Sequence, residues 1–196
     1  MNSIKQLKYL LIDLDRWAYA LRIPVPLLPI VLLLYVQTWS VLAYRCSRFV
    51  HLLNFKPLKY LLFLPFFFLR KFIEIITSNT ISEKADIGPG FYIAHTGAIV
   101  IGGGSKAGKN FSVRQCVTLG GGAEVHGHPV IGDNVVVGAG AVIIGVVSIG
   151  SNVLIGANAV VNKDLPDNAR AVGVPAKVIN EKGSYGISVR NYWNVY

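Results

Sequence analysis

The amino-acid sequence predicts an all-β repeat, a parallel β-helix preceded by an α-helical segment, and three observations carry that prediction. Residues 131–162 divide into the hexads IGDNVV, VGAGAV, IIGVVS, IGSNVL and IGANAV, followed by Val161 and Asn162. Each hexad opens on a β-branched aliphatic residue, four of the five place Gly next, and the fifth position is always Val or Ala. A similar beat runs ahead of it at Ile81, Ile87, Ile93, Ile99, Ser105, Phe111 and Val117, whereas the first 76 residues hold long apolar runs with no such register. A six-residue period fits neither a helix of 3.6 residues per turn nor the two-residue alternation of a strand. It marks a solenoid whose coils each take three hexads. No coil buries its own aliphatic row, and stacking coils ~4.8 Å apart joins the rows into one core. Small residues at the corners allow the tight turns.

Residues 1–22 read as an amphipathic helix, without the ordered charge, apolar core and cleavage site of a signal peptide. Residues 23–44 then run uncharged, and 60–69 add a second run rich in Phe. Length alone would let the first run span a bilayer. Against this, Pro24, Pro26 and Pro29 interrupt its start, and Gln37, Thr38, Trp39 and Ser40 make its second half amphipathic. Arg45, Arg48, Lys56, Lys59, Arg70 and Lys71 flank both runs, the pattern of helices lying in a membrane interface. The segment is therefore expected first to associate peripherally with a membrane. Packing on the β-helix or a neighbouring subunit comes second, and a true span third.

Charge supports that order. Of the formal +9, the first 76 residues hold ten Lys/Arg against Asp13, Asp15 and Glu74. Basic charge beside apolar runs points to anionic lipid and not to nucleic acid. Cys46 and Cys116 give no disulfide framework, so a reducing compartment is expected, the cytoplasm at the inner face of the membrane.

From Ile81 to Val117 the beat keeps one phase. Val117 to Ile131 is fourteen residues, two hexads plus two, which places an insertion within 120–128. That loop carries Glu124, His126 and His128, and loops extruded from a regular scaffold tend to carry function. Residues 103–110, GGSKAGKN, approach the phosphate-binding G-x-x-x-x-G-K-[ST]. Asn110 replaces the hydroxyl and no helix follows, so this stretch reads as a turn in the weak hexad at Ser105.

The segments IGPGFYIAHTGAIVIGGGSKAGKNFSVRQCVTLGG, HPVIGDNVVVGAGAVIIG and AVGVPAKVI (171–179) resemble the hexapeptide acyltransferases, above all their serine acetyltransferase branch. Residues 43–51 resemble only the last helices before the repeats of that branch, whose larger helical domain has no counterpart here. The resemblance implies a left-handed coil, against the usual right-handed crossover. It also implies acetyl-CoA as co-substrate, no metal, and a homotrimer with coenzyme A in the groove between subunits. The expected organisation is a helical segment at 1–76, the left-handed β-helix at 77–180 and an extension at 181–196.

Acetyl transfer to a hydroxyl needs a base, an aligned thioester and donors for the developing oxyanion. By resemblance His95 is the base and His128 the second active-site histidine. Gly120, Gly138, Ala139, Ala157 and Asn158 match the coenzyme A track, with Lys163 and Lys177 for its phosphates. His126 and His51 lack such support and read as structural, and Cys116 reads as a small core residue.

Three departures bear on the acceptor. The branch has a carboxylate before the base, another fifteen residues upstream, and Arg before the loop-exit histidine. Here those positions are Ala94, Thr80 and Gly127. Both charge partners of an amino-acid acceptor are thus missing. The expected function is O-acetylation of a saccharide or glycan-precursor hydroxyl, with serine acetylation as the alternative and a non-catalytic β-helix scaffold as a second.

Overall fold

The computed structural model describes residues 3–24, 34–121 and 127–184. Outside them lie residues 25–33 of the first apolar run, Glu124 and His126 of the loop, and the expected extension from residue 185 onward. Among the described residues three helices lead the chain: α1 (Ile4–Leu21), α2 (Val36–His51) and α3 (Lys56–Thr77). Short strands then stack in parallel into three faces of a prism. The first face holds β1 (Thr80–Ile81), β4 (Val100–Ile101), β7 (Thr118–Gly120), β10 (Val142–Ile144) and β13 (Val160–Val161). The second holds β2 (Asp86–Ile87), β5 (Lys106–Ala107), β8 (Val130–Ile131) and β11 (Ser148–Ile149). The third holds β3 (Tyr92–Ile93), β6 (Ser112–Val113), β9 (Val136–Val137), β12 (Leu154–Ile155) and β14 (Arg170–Val172), closed by the antiparallel β15 (Lys177–Asn180). The chain visits the faces in that order in each coil, and the whole is a left-handed parallel β-helix of about four turns.

The core is the predicted aliphatic column. Each hexad sends two side chains inward, two residues apart, as with Phe111 and Val113, Val117 and Leu119, and Val135 and Val137, all buried. At the corner between the second and third faces, Asn110, Asn134, Asn152 and Asn168 all take positive φ. Asparagine tolerates this left-handed conformation better than other side chains with a Cβ. Their amides also chain from coil to coil at 2.8, 3.0 and 3.2 Å.

The register corrects one expectation. A regular coil takes eighteen residues, pairing Ile131 with Ile149 and Val137 with Ile155. The regular step between faces is six, as from Val113 to Leu119, but Ile93 to Ile101 takes eight and Leu119 to Ile131 takes twelve. Two insertions therefore exist: two residues at the His95 corner and a full hexad at the loop. The single phase read from Ile81 to Val117 is wrong. Because inward positions lie two residues apart, a two-residue insertion moves the beat from one to the other and leaves the period unbroken.

The N-terminal helices bring a second correction. The first coil ends the solenoid and would leave backbone groups of β2 and its turn unpaired, a cost that edge strands must manage. Side chains from α1 and α2 meet it. Tyr44 donates to the Ala85 carbonyl at 3.0 Å and accepts the Ile87 N–H at 3.1 Å. Arg45 donates to the carbonyls of Ile87 and Gly88 at 2.7 and 2.6 Å and to the Asp13 carboxylate at 2.7 Å. Asp13 accepts the N–H groups of Gly90 and Phe91 at 2.7 and 2.8 Å. Burial pushes the Asp13 carboxyl above its ordinary range, while the Arg45 guanidinium and those two amides pull the other way. Arg16 donates to the Gly90 carbonyl and, at 2.7 Å, to Ser112. Arg48 pairs with Asp86 at 2.7 Å. Arg45 and Arg48, expected to flank a membrane-facing run, are thus buried anchors of a capping layer. Among the described residues no helix is long and apolar enough to cross a membrane.

Candidate active site

His95 stands exposed on the corner between the third and first faces, in the two-residue insertion that lengthens the turn at residues 94–98. Gly97 and Ala98 take positive φ there, a conformation disfavoured for Ala. Asn79 holds the bulge in place. Its buried side-chain oxygen accepts the N–H groups of Gly97 and Ile99 at 3.1 and 3.2 Å, and its amide donates to Ser40 on α2 at 3.0 Å. Sequence reasoning missed Asn79, since a lone Asn before a strand carries no motif. Thr80, at the position of the missing upstream acid, is exposed at the start of β1.

Below His95 on the same edge, coil by coil, come Arg114 and Gln115, then Gly138 and Ala139, then Ala157 and Asn158. Adding a Cβ at Gly138 would bring it to 2.5 Å from the Ala157 nitrogen, so only glycine lets the coils close there. Asn158 takes positive φ, and its side-chain oxygen lies where a Gly140 Cβ would be. Ala157, Asn158 and Lys177 are exposed. Cys116 lies on this edge too, exposed with φ +59°, and is not the core residue expected.

His128 lies on the other edge of the first face, at the corner leading to the second. Its ring lies against glycine backbone: a Cβ on Gly104 would sit 2.1 Å from His128 Cδ2, and one on Gly102 3.3 Å from Cε1. Gly104, from the stretch dismissed as a nucleotide loop, and Gly102 just ahead of it therefore form the bed of this histidine. His128 Nδ1 is buried and has no hydrogen-bond partner among the described residues. Beside it, a Cβ on Gly127 would meet Val146 Cγ2 at 2.3 Å, so this backbone has no room for the arginine of the resembled branch. Gly120, at the end of β7, faces open space, and Lys163 is exposed after β13.

The candidate residues thus divide between two edges of one face. His95, Gly138, Ala139, Ala157, Asn158 and Lys177 border one, and Gly120, His128 and Lys163 border the other. Within one chain the two histidines do not meet. Among the described residues no group of His, Cys, Asp and Glu is placed to hold a metal ion. His51, read as structural, lines a cleft between α2 and α3 with Lys59 and Phe63. Burial, and secondarily Lys59, pulls its imidazole below the ordinary value.

Comparison with known proteins matches residues 128–163 to the bacterial transferase hexapeptide family (six repeats). No curated protein sequence matches the chain. Among solved structures, soybean serine acetyltransferase is similar at 34% identity and TM-score 0.71, covering 89% of this chain and 69% of that one. The Neisseria gonorrhoeae serine acetyltransferase in complex with serine is similar at 32% identity and TM-score 0.72, covering 90% and 70%. The Brucella abortus strain S19 serine acetyltransferase in complex with coenzyme A is similar at 30% identity and TM-score 0.72, covering 90% and 68%.

Proposed function

The chain belongs to the hexapeptide-repeat acyltransferases, serine acetyltransferase-like, and from that premise we propose that His95 is the base that moves acetyl from acetyl-CoA to an acceptor hydroxyl. One observation carries the assignment: His95 heads the edge along which Gly138, Ala139, Ala157 and Asn158 offer small side chains and accessible backbone. That edge suits the long, flexible coenzyme, with the exposed Lys177 available on it for the phosphates, while Lys163, on the opposite edge, would reach them from a neighbouring subunit.

In the reaction the acceptor oxygen attacks the thioester carbonyl while its proton passes to the imidazole of His95, acting as general base. The tetrahedral intermediate then collapses, the carbon–sulfur bond breaks, and the imidazolium returns its proton to the leaving thiolate. His128 serves the acceptor side. A head-to-tail homotrimer would set the His95 edge of one chain against the His128 edge of the next, completing a site that neither edge forms alone. We place the reaction in the cytoplasm, at the inner face of the membrane.

For the acceptor, the comparisons favour serine over the saccharide expected first from sequence, since the similar structures are serine acetyltransferases and one holds serine. A saccharide hydroxyl stays as the second reading on one specific observation. Position 94 is Ala, and position 127 is a Gly whose missing side chain Val146 would block. The purified protein, given acetyl-CoA and either serine or a panel of saccharides, decides between them by mass spectrometry. O-acetylserine formed at kcat/KM of ~10⁴ M⁻¹s⁻¹ or above establishes serine. Acetyl transfer to a sugar alone establishes the second reading, and transfer to neither defeats the enzyme assignment.

A further inference from the structure

We propose that the outer face of α3 docks the protein on an anionic lipid bilayer. Leu61, Leu64, Phe68, Phe72 and Ile75 follow one another at spacings of three and four residues, which on a helix makes a single stripe. All five are exposed, Leu61 to 72% and Ile75 to 79%. The stripe is about 21 Å long at 1.5 Å per residue. Soluble proteins rarely leave so continuous an apolar surface in water. The opposite side of α3 is already used: Ile73 and Thr77 are buried, and Arg70 pairs with Glu83.

Charge chooses the occupant. The exposed residues of α3 between Lys56 and Ile76 include Lys56 and Lys71 and no carboxylate. The helix's one acid, Glu74, is turned inward, its side chain 11% exposed between Arg70 and Lys71. Protein interfaces are depleted in lysine, whereas a helix lying in a bilayer surface carries it beside an apolar face and gains from anionic headgroups. Tyr60, 71% exposed beside Lys56, adds the aromatic group favoured at the lipid–water boundary. The helix lies in the interface and does not cross it, since it is not apolar enough to span. α2, on which it packs, is clamped with α1 to the first coil by Asp13, Arg16 and Arg45 and gives α3 a rigid mount.

This deepens the membrane-side location proposed above and does not depend on the acceptor. The test is flotation of the full-length protein with phosphatidylcholine vesicles, with and without phosphatidylglycerol, alongside the double variant Leu61→Glu/Phe68→Glu. The wild type is expected to float with the anionic vesicles, less so as salt rises. The variant should partition about tenfold or more weaker, the effect of removing two buried apolar side chains. It should keep wild-type circular dichroism and acetyl-CoA turnover, which shows that the fold survives. Equal flotation of variant and wild type would leave the membrane location standing but overturn docking through α3. Equal binding to neutral and anionic vesicles would overturn the anionic requirement. A wild type that stays with the soluble fraction at low salt overturns both, and a sedimentation shift to larger oligomers that the variant abolishes would identify a second copy as the true occupant.

Discussion

The side-chain oxygen of Asn79 accepts the backbone N–H of Gly97 at 3.1 Å, two residues beyond the proposed base His95, and joins that corner to α2 through Ser40. Asn79→Ala should strand two backbone donors, one of them the N–H of the buried Ile99, at about 1–3 kcal/mol for an unsatisfied buried group. The kinetic signature separates position from mere stability. Turnover should fall while KM for acetyl-CoA holds, and Asn79→Asp, which keeps the acceptor oxygen, should recover most of it. Equal loss in both variants would deny the corner any catalytic importance.

His95→Ala should lower kcat by ~10²–10⁴, the usual contribution of a general base, with coenzyme A binding close to wild type by calorimetry. A variant that keeps near wild-type kcat removes His95 from the mechanism.

Gly104 and Gly120 should respond differently to the same methyl group. A Cβ at Gly104 collides with His128 at 2.1 Å, whereas one at Gly120 meets nothing within 4 Å. Gly104→Ala is expected to reproduce the activity loss of His128→Ala, while Gly120→Ala stays folded with native thermal stability. A fully active Gly104→Ala would show that the seat of the His128 ring is unimportant.

Asp13→Ala should unfold the cap before the solenoid. It leaves the Arg45 guanidinium buried without its carboxylate and frees the N–H groups of Gly90 and Phe91. Breaking one partner of a buried pair typically costs about 3–5 kcal/mol. Denaturant titration followed by Trp17 fluorescence reads this directly, since Trp17 is buried against Tyr92 at a ring separation of 4.6 Å. An unchanged midpoint would contradict the anchoring role.

Gly127→Arg alone should not improve serine turnover, because Val146 occupies the space its Cβ needs. Pairing it with Val146→Ala and Ala94→Asp should lower KM for serine by about a hundredfold or more if two charge contacts of ~1.5–3 kcal/mol each are gained. A triple variant no better than wild type would show that other groups already hold the amino acid.

By itself the sequence determined the solenoid, its small-residue corners and, through the resemblance, the histidines that mark the proposed site, because these are local properties. An inward aliphatic residue recurs every six positions, and Asn or Gly recurs where the turn needs positive φ. Which inward position each aliphatic occupies was decided only in three dimensions. Coil stacking shows that Ile93 pairs with Val113 while the next strand begins late, at Val100, so His95 stands on a bulge that the unbroken beat conceals. The helical segment divides for the same reason. Arg45 and Lys71 look alike in a basic, apolar sequence, but Arg45 finds Asp13 and the Ile87 carbonyl across the fold, while Lys71 stays half-exposed on α3. Burial and pairing depend on partners 32 and 42 residues away in the chain, and no local pattern encodes where those partners fold.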